Sequence, residues 1–164
     1  MMQRRARGSR KRRKVALIRL TLAVLFTAVG IAGYFTLRPA GQAGRQKVTL
    51  IKVSDGDTIR VRDGRGNNIK VRLVGIDTQE LGTAASFRSA LFAAEMLEGA
   101  REIHLEPEPS KPVDKYGRTL GWVWVVTPDG NEVLLQEELL RAGLAELYRD
   151  AKGSKHYSRL ERVR

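Results

Sequence analysis

Positive charge in this chain is gathered at one end, and the segment that follows it carries no charge at all. Met1 to Arg38 holds ten Lys/Arg (Arg4, Arg5, Arg7, Arg10, Lys11, Arg12, Arg13, Lys14, Arg19 and Arg38) and no acid. Within it, Leu20 to Leu37 (LTLAVLFTAVGIAGYFTL) is eighteen consecutive uncharged residues. Such a run is neither an amphipathic helix nor a half-buried strand. As a helix it would be about 27 Å long, against about 30 Å for the hydrocarbon core of a bilayer. Arg19 and Arg38 can snorkel from the two ends to close the gap, and Tyr34 and Phe35 suit an interface. The nine basic residues before Leu20 hold the N-terminus in the cytoplasm by the positive-inside rule, so the remainder is exported. An uncleaved signal anchor is the reading favoured here. A cleavable signal peptide processed near Ala40-Gly41-Gln42-Ala43 and a basic nucleic-acid arm beside a buried helix are the alternatives. The run exceeds a usual signal-peptide core of about 7–15 residues, which favours the anchor. The expected organisation is a cytoplasmic tail (1–19), a transmembrane segment (20–37), a Pro/Gly-containing linker (38–47) and one folded domain (48–164). The expected location is the cell membrane, single-pass, with the folded domain extracytoplasmic, or secreted if the segment is cleaved.

This distribution changes what the net charge of +12 implies. A surplus of that size suggests nucleic acid or an anionic membrane as partner. Yet beyond Arg38 the chain holds 20 basic and 18 acidic side chains, a net of only +2. With no cysteine, a disulfide scaffold, a thiolate metal site and a Cys nucleophile are excluded. A hydrophobic content of 42% with 29% charged residues excludes a wholly disordered chain and a multi-span membrane protein.

From Val48 onward the pattern is one of short strands. Val48–Val53 and Ile59–Val61 flank Asp-Gly-Asp, and Ile69–Ile76 follows the turn-rich Asp63-Gly-Arg-Gly-Asn-Asn68. Thr83–Glu98 reads as a helix with Phe87, Leu91, Met96 and Leu97 as its large apolar residues, capped by Gly99. Glu102–Leu105 and Leu120–Val126 read as strands, the latter with Trp122, Trp124 and Val126 on one face. Glu132–Ala142 and Ser154–Arg162 read as helices. The order β-β-β-α-β-β-α-α predicts an α+β chain whose centre is a five-stranded Greek-key barrel of the OB type with about three helices.

Polar residues cluster in three places. Asp55-Gly56-Asp57-Thr58 sets two carboxylates two residues apart around a glycine, a hard-oxygen pair suited to Ca²⁺ or Mg²⁺ and also a common hairpin turn. Arg72-Leu-Val-Gly-Ile-Asp77-Thr78-Gln79-Glu80 brings a cation, a metal-ligand type and a base type to one strand terminus. Asp114-Lys115-Tyr116-Gly117-Arg118 offers a guanidinium fork, a point charge and an aromatic hydroxyl, as a phosphate site would, or an exposed turn. Phosphodiester hydrolysis would use this combination. Glu80 could orient or deprotonate water, Asp57 and Asp77 could hold a hard cation, and Arg72 and Arg118 could grip phosphoryl oxygens. Of the two histidines, His104 alternates with core residues on a strand and His156 lies in a polar tail, and neither is flanked by metal-ligating partners.

These three motifs, in this order, resemble those of the staphylococcal nuclease (thermonuclease) family. Asn131-Glu-Val-Leu-Leu and Arg141-Ala-Gly143-Leu-Ala resemble the family's second helix and its exit. The resemblance covers Lys47 to the C-terminus. It implies an OB-fold, Ca²⁺-dependent nuclease that cleaves DNA and RNA and leaves 3′-phosphates. It also implies site roles: Asp57 and Asp77 as carboxylate ligands of Ca²⁺, Thr78 through its backbone carbonyl, and Asp55 in the outer shell through water. Glu80 matches the general base, Arg72 and Arg118 the phosphate-binding arginines, Lys115 and Tyr116 a terminal-phosphate contact, and Tyr148 an aromatic that stacks on a base. The chain is expected to act as a monomer and to prefer single strands. It departs from the family at Gln79, where proline is usual, in the short Leu81-Gly82 connection after Glu80, and in its short terminal helix. Two other classes remain open: a catalytically inactive OB-fold module that holds single strands, and an envelope scaffold in which Asp57 and Asp77 bind Ca²⁺ for stability.

Overall fold

In the computed structural model, residues 44–79 and 82–163 are described. The basic tail, the apolar run of the expected anchor, most of the linker, Glu80, Leu81 and Arg164 lie outside the described residues.

Short β-branched segments separated by Asx and glycine turns produce a meander of three strands: β1 (Gln46–Asp55), β2 (Thr58–Asp63) and β3 (Asn68–Leu73). The β2–β3 turn is held by Asp63, whose Oδ1 accepts from the backbone N–H of Arg65 at 2.9 Å and of Asn67 at 2.8 Å. After the two-residue strand β4 (Ile76–Asp77) comes helix α1 (Ala84–Glu98), followed by β5 (Glu102–Pro107) and β6 (Thr119–Val126). The chain then forms β7 (Glu132–Leu134), α2 (Leu135–Arg141), β8 (Glu146–Leu147), a 3₁₀ turn (Arg149–Ala151) and α3 (Tyr157–Glu161). The main sheet runs β3-β2-β1-β5-β6-β7, and β3 also pairs with β6, so five strands close on themselves. The closing pair is parallel, Val71 to Leu73 against Thr119 to Gly121. This is the expected five-stranded barrel with three helices.

Ile59, Val61, Val71, Leu73, Leu105, Trp122, Leu134 and Leu139 fill the interior at 0–1% exposure, so every barrel strand except β1 contributes a nearly solvent-free residue. The strand β6 is buried on both sides. Helix α2 covers part of it through Gln136, whose side chain accepts from Val123 N at 3.2 Å and donates to Gly121 O at 3.0 Å. A fully buried amide is tolerated there because both of its ends are satisfied.

Three expected element bounds are corrected. The third strand stops at Leu73 rather than Ile76, because Gly75 takes a positive φ of 82° in a turn. The segment from Glu132 begins as a strand against Val126 and becomes helical only at Leu135. The last helix is limited to Tyr157–Glu161. Helix α1 buries Ser86, Ser89, Ala93 and Leu97, while Phe87 is 69% and Leu91 47% exposed. Its small-residue face is turned inward because it rests closely on the β1–β2 turn: a Cβ on Gly56 would lie 2.5 Å from Ser89 Oγ.

His156, rather than hanging in a polar tail, presents its ring at right angles to both Trp122 and Trp124, at 5.1 and 5.3 Å. Its Nε2 is 3.0 Å from Glu106 Oε2. The buried Glu106 carboxylate also receives Trp124 Nε1 at 2.8 Å, Arg45 Nε at 3.2 Å and the Lys155 ammonium. Arg45 lies over the Trp124 ring at 3.6 Å and bonds Glu132 at 2.8 Å. Burial by itself would raise the Glu106 carboxyl, but its hydrogen bonds from Lys155, Trp124 and His156 outweigh that and bring it to about 2.

Candidate active site

The β1–β2 hairpin turns at Asp55-Gly56-Asp57, where Asp55 Oδ1 accepts from Asp57 N at 3.2 Å. Antiparallel register sets Arg72 of β3 beside Thr58 of β2, and therefore next to Asp57. The buried Asp57 carboxylate accepts from Thr58 Oγ1 at 3.1 Å on Oδ1, and from Thr78 N at 3.1 Å and Thr78 Oγ1 at 3.0 Å on Oδ2. Arg72 Nη1 pairs with that same Oδ2, and Arg72 Nη2 donates to Asp77 Oδ1 at 2.7 Å. One guanidinium thus spans the two carboxylates that the motifs singled out, and Thr78 ties the strand end back to the hairpin.

Burial raises the Asp57 carboxyl above its ordinary range, and the Asp55 charge adds to this, against the opposing pull of Arg72 and of Thr78's hydrogen bonds. Among the described residues, no three His, Cys, Asp or Glu side chains converge closely enough to hold a metal ion by themselves. Asp57, Asp77, the Thr78 carbonyl and Asp55 are nonetheless an all-oxygen set, which fits a hard cation completed by water and substrate.

The second arginine comes from the connection before β6. Asp114 folds this turn by accepting from the N–H groups of Tyr116 and Arg118, both at 2.9 Å, and its Oδ2 accepts from Arg118 Nε at 2.7 Å. Burial opposes ionisation of Asp114, yet the bonds from Arg118 and Tyr116 hold its carboxyl below the ordinary range. Tyr116 is 71% exposed, with Lys115 Nζ at 5.0 Å and Arg118 Cζ at 5.4 Å from its ring centroid. Tyr148 reaches the same cleft from a later part of the chain. The β4–β8 pair sets Ile76 against Leu147, and Tyr148 N donates to Gly75 O at 2.9 Å. Its hydroxyl donates to Asp150 Oδ2 at 3.2 Å, which raises the phenol's pKa.

Arg72, Asp77, Lys115, Tyr116, Arg118 and Tyr148 all line one open cleft of about 900 Å³. Asp57 and Thr78 join it through Arg72, and Asp55 sits one hydrogen bond behind. Glu80 lies outside the described residues. Two residues given no role from sequence emerge: Asp114 aims Arg118, and Asp150 holds Tyr148. The first had a visible signal, an acid four residues before the arginine. The second is a contact two residues apart that gains meaning only once the non-local β4–β8 pairing sets Tyr148 at the cleft, and that pairing had no signal.

Comparison with known proteins bears on the same residues. Residues 70–164 match the family model described as "Staphylococcal nuclease homologue". The chain belongs to the staphylococcal nuclease family. It is similar to a thermonuclease of Staphylococcus intermedius, with 34% identity over 143 residues, covering 76% of this chain and 81% of the relative. A thermonuclease of Staphylococcus hyicus is 34% identical over 122 residues, 68% of each chain. A micrococcal nuclease of Shigella flexneri is 36% identical over 104 residues, 61% of this chain and 57% of that one. The folded domain is accordingly a nuclease domain and the protein a hydrolase. Arg72, Asp77, Thr78, Lys115, Tyr116, Arg118 and Tyr148 of this nuclease fall within the matched stretch, whereas Asp55 and Asp57 precede it.

Proposed function

We propose that this nuclease hydrolyses phosphodiester bonds of DNA and RNA, single strands preferentially, with Ca²⁺ as cofactor. It acts outside the cytoplasm as a monomer tethered by Leu20–Leu37, and leaves 3′-phosphates. The observation that carries the catalytic reading is the Arg72 guanidinium spanning Asp57 and Asp77 at the edge of a cleft that also presents Arg118, Tyr116 and Tyr148. Asp57, Asp77 and the Thr78 carbonyl would hold the cation, with Asp55 behind them. When bound, Ca²⁺ supplies charge compensation to a phosphoryl oxygen.

The chain's own groups do the rest. Arg72 and Arg118 offer forked N–H donors to the non-bridging oxygens, and their hold strengthens as charge accumulates on the phosphoryl group. The Glu80 carboxylate takes a proton from the attacking water. The bond to the 5′ oxygen breaks, and that oxygen takes up a proton as it leaves. Tyr148 gives a face on which an unpaired base stacks, which favours single strands. Lys115 and Tyr116 receive a terminal phosphate. The tether reading rests on the charge-free run and the cations before it.

Full-length chain in detergent should cleave single-stranded oligonucleotides with Ca²⁺ and stop with chelator. Glu80→Gln and Arg118→Ala should each lower kcat by about a hundredfold or more. Full activity in either variant would overturn the assignment, and tight strand binding without cleavage under any divalent cation would favour a binding module instead.

A further inference from the structure

The first half of helix α1 is built inside out with respect to size. Its buried face there carries Ser86, Ser89 and Ala93, with Leu97 further along, while Phe87 and Leu91 stand exposed four residues apart, with exposed Ala84 and Arg88 beside them. Neither packing nor the cleft accounts for two large apolar side chains there. Ser89 faces the Gly56 turn, and a step of two residues on a helix is about 200°, so Phe87 and Leu91 point away from the site's hairpin. Neither lines the catalytic cleft.

We infer that this ridge of α1 is a membrane-contact surface, which seats the domain on the bilayer carrying its anchor. The inference rests on the tether reading above. Three observations support lipid as the occupant. First, if Leu20–Leu37 spans the bilayer, the seven steps from Leu37 to Gly44 reach at most about 25 Å. A folded unit of 121 residues is roughly 35 Å across, so the tether is shorter than the domain is wide. The domain is therefore held within about one domain diameter of the surface, where an apolar ridge can reach lipid. Second, two side chains are far short of the roughly 800 Å² per partner that a specific protein interface needs. A lipid surface demands no shape complementarity, and a Phe–Leu pair is the kind of wedge that enters the headgroup boundary. Third, Arg88 lies within the ridge, where a guanidinium meets anionic headgroups while the apolar pair sinks past them. Seating on α1 leaves the cleft, with Tyr116 and Tyr148 at its mouth, open to substrate.

The absence of native cysteine makes this measurable. Full-length Ala84→Cys, carrying an environment-sensitive dye, is reconstituted into vesicles of phosphatidylcholine with one-fifth phosphatidylglycerol, with and without Phe87→Ser/Leu91→Ser. Flotation with the vesicles reports the anchor, and quenching by nitroxide lipids reports the ridge. Both forms should float. Quenching should be clear with the ridge intact and should fall on the order of tenfold in contact population without it. Cleavage of a short soluble oligonucleotide should be unchanged, which shows that the variant is folded. Flotation with equal quenching in both forms, or with none in either, would overturn the ridge and spare the anchor. Failure to float would overturn both. Cross-linking between two Ala84→Cys chains without lipid quenching would assign the ridge to a second copy instead.

Discussion

Replacing Glu106 with glutamine should weaken the fold in a strongly pH-dependent way. The carboxylate is 2% exposed, and it takes hydrogen bonds or ion pairs from Trp124, His156, Arg45 and Lys155. Its descent from an ordinary value near 4.5 to about 2 corresponds to roughly 3 kcal/mol of preference for the folded state when ionised. Glu106→Gln removes that charge and leaves Arg45 and Lys155 facing a neutral amide, so the expected deficit at pH 7 is about 3–5 kcal/mol. The sign follows from the depressed folded-state value. The contribution is complete above the unfolded value near 4.5 and is lost as pH falls toward 2. The gap between wild type and variant should therefore narrow by roughly 2 kcal/mol at pH 3. Urea unfolding of both chains, followed by the fluorescence of buried Trp122 and Trp124 across this range, measures the gap directly. A deficit independent of pH, or no deficit at neutral pH, would refute the claim that an ionised Glu106 organises this cluster.

Three further outcomes are expected. Asp114→Ala frees the Arg118 side chain from its 2.7 Å bond and unfolds the turn around it, so kcat/KM should drop by about tenfold to a hundredfold while the melting temperature moves little; steady-state kinetics beside a thermal scan separates the two. Gly75→Ala forces a side chain into a φ of +82° with its Cβ 2.6 Å from Leu160 Cδ1, and a loss of about 2–4 kcal/mol should appear in chemical denaturation. Gln136→Leu strands the Val123 N–H and leaves the Gly121 carbonyl with Val74 N alone, so it should cost about 1–3 kcal/mol, readable as a lower urea midpoint with unchanged m-value.

The barrel was legible because its strands are short, branched and punctuated by residues whose turn chemistry is local, as at Asp63 and Gly66. The two carboxylates and two arginines were legible because each sits at a strand end or turn, where motif spacing translates directly into position. Non-local contacts were hidden. Two-residue strands such as β4 and β8 have no periodicity to detect, and their pairing is what sets Tyr148 at the cleft. The three residues from Glu132 read as helix because their neighbours do, yet an open edge of β6 captures them as strand. The inward face of α1 was hidden for another reason. Apolar spacing says which residues share a face, whereas the closeness of the Gly56 turn decides which face fits inward, and beside that turn the helix presents Ser86 and Ser89, with Leu97 buried further along.

Arg45 has a mechanical meaning beyond its part in the Glu106 cluster. It directly precedes β1, so any pull transmitted along the N-terminal chain meets it before it meets the first strand. Its side chain, 6% exposed, is gripped by Glu106 and Glu132 and pressed on Trp124. Tension is thereby passed sideways into β5, β6 and β7 together. It is kept from working at the first bridge of the β1–β5 pair, which would otherwise open one rung at a time from Gln46. The guanidinium acts as a strain relief at the cable's entry: a pull on the N-terminal chain loads three strands at once instead of unravelling the barrel from its end.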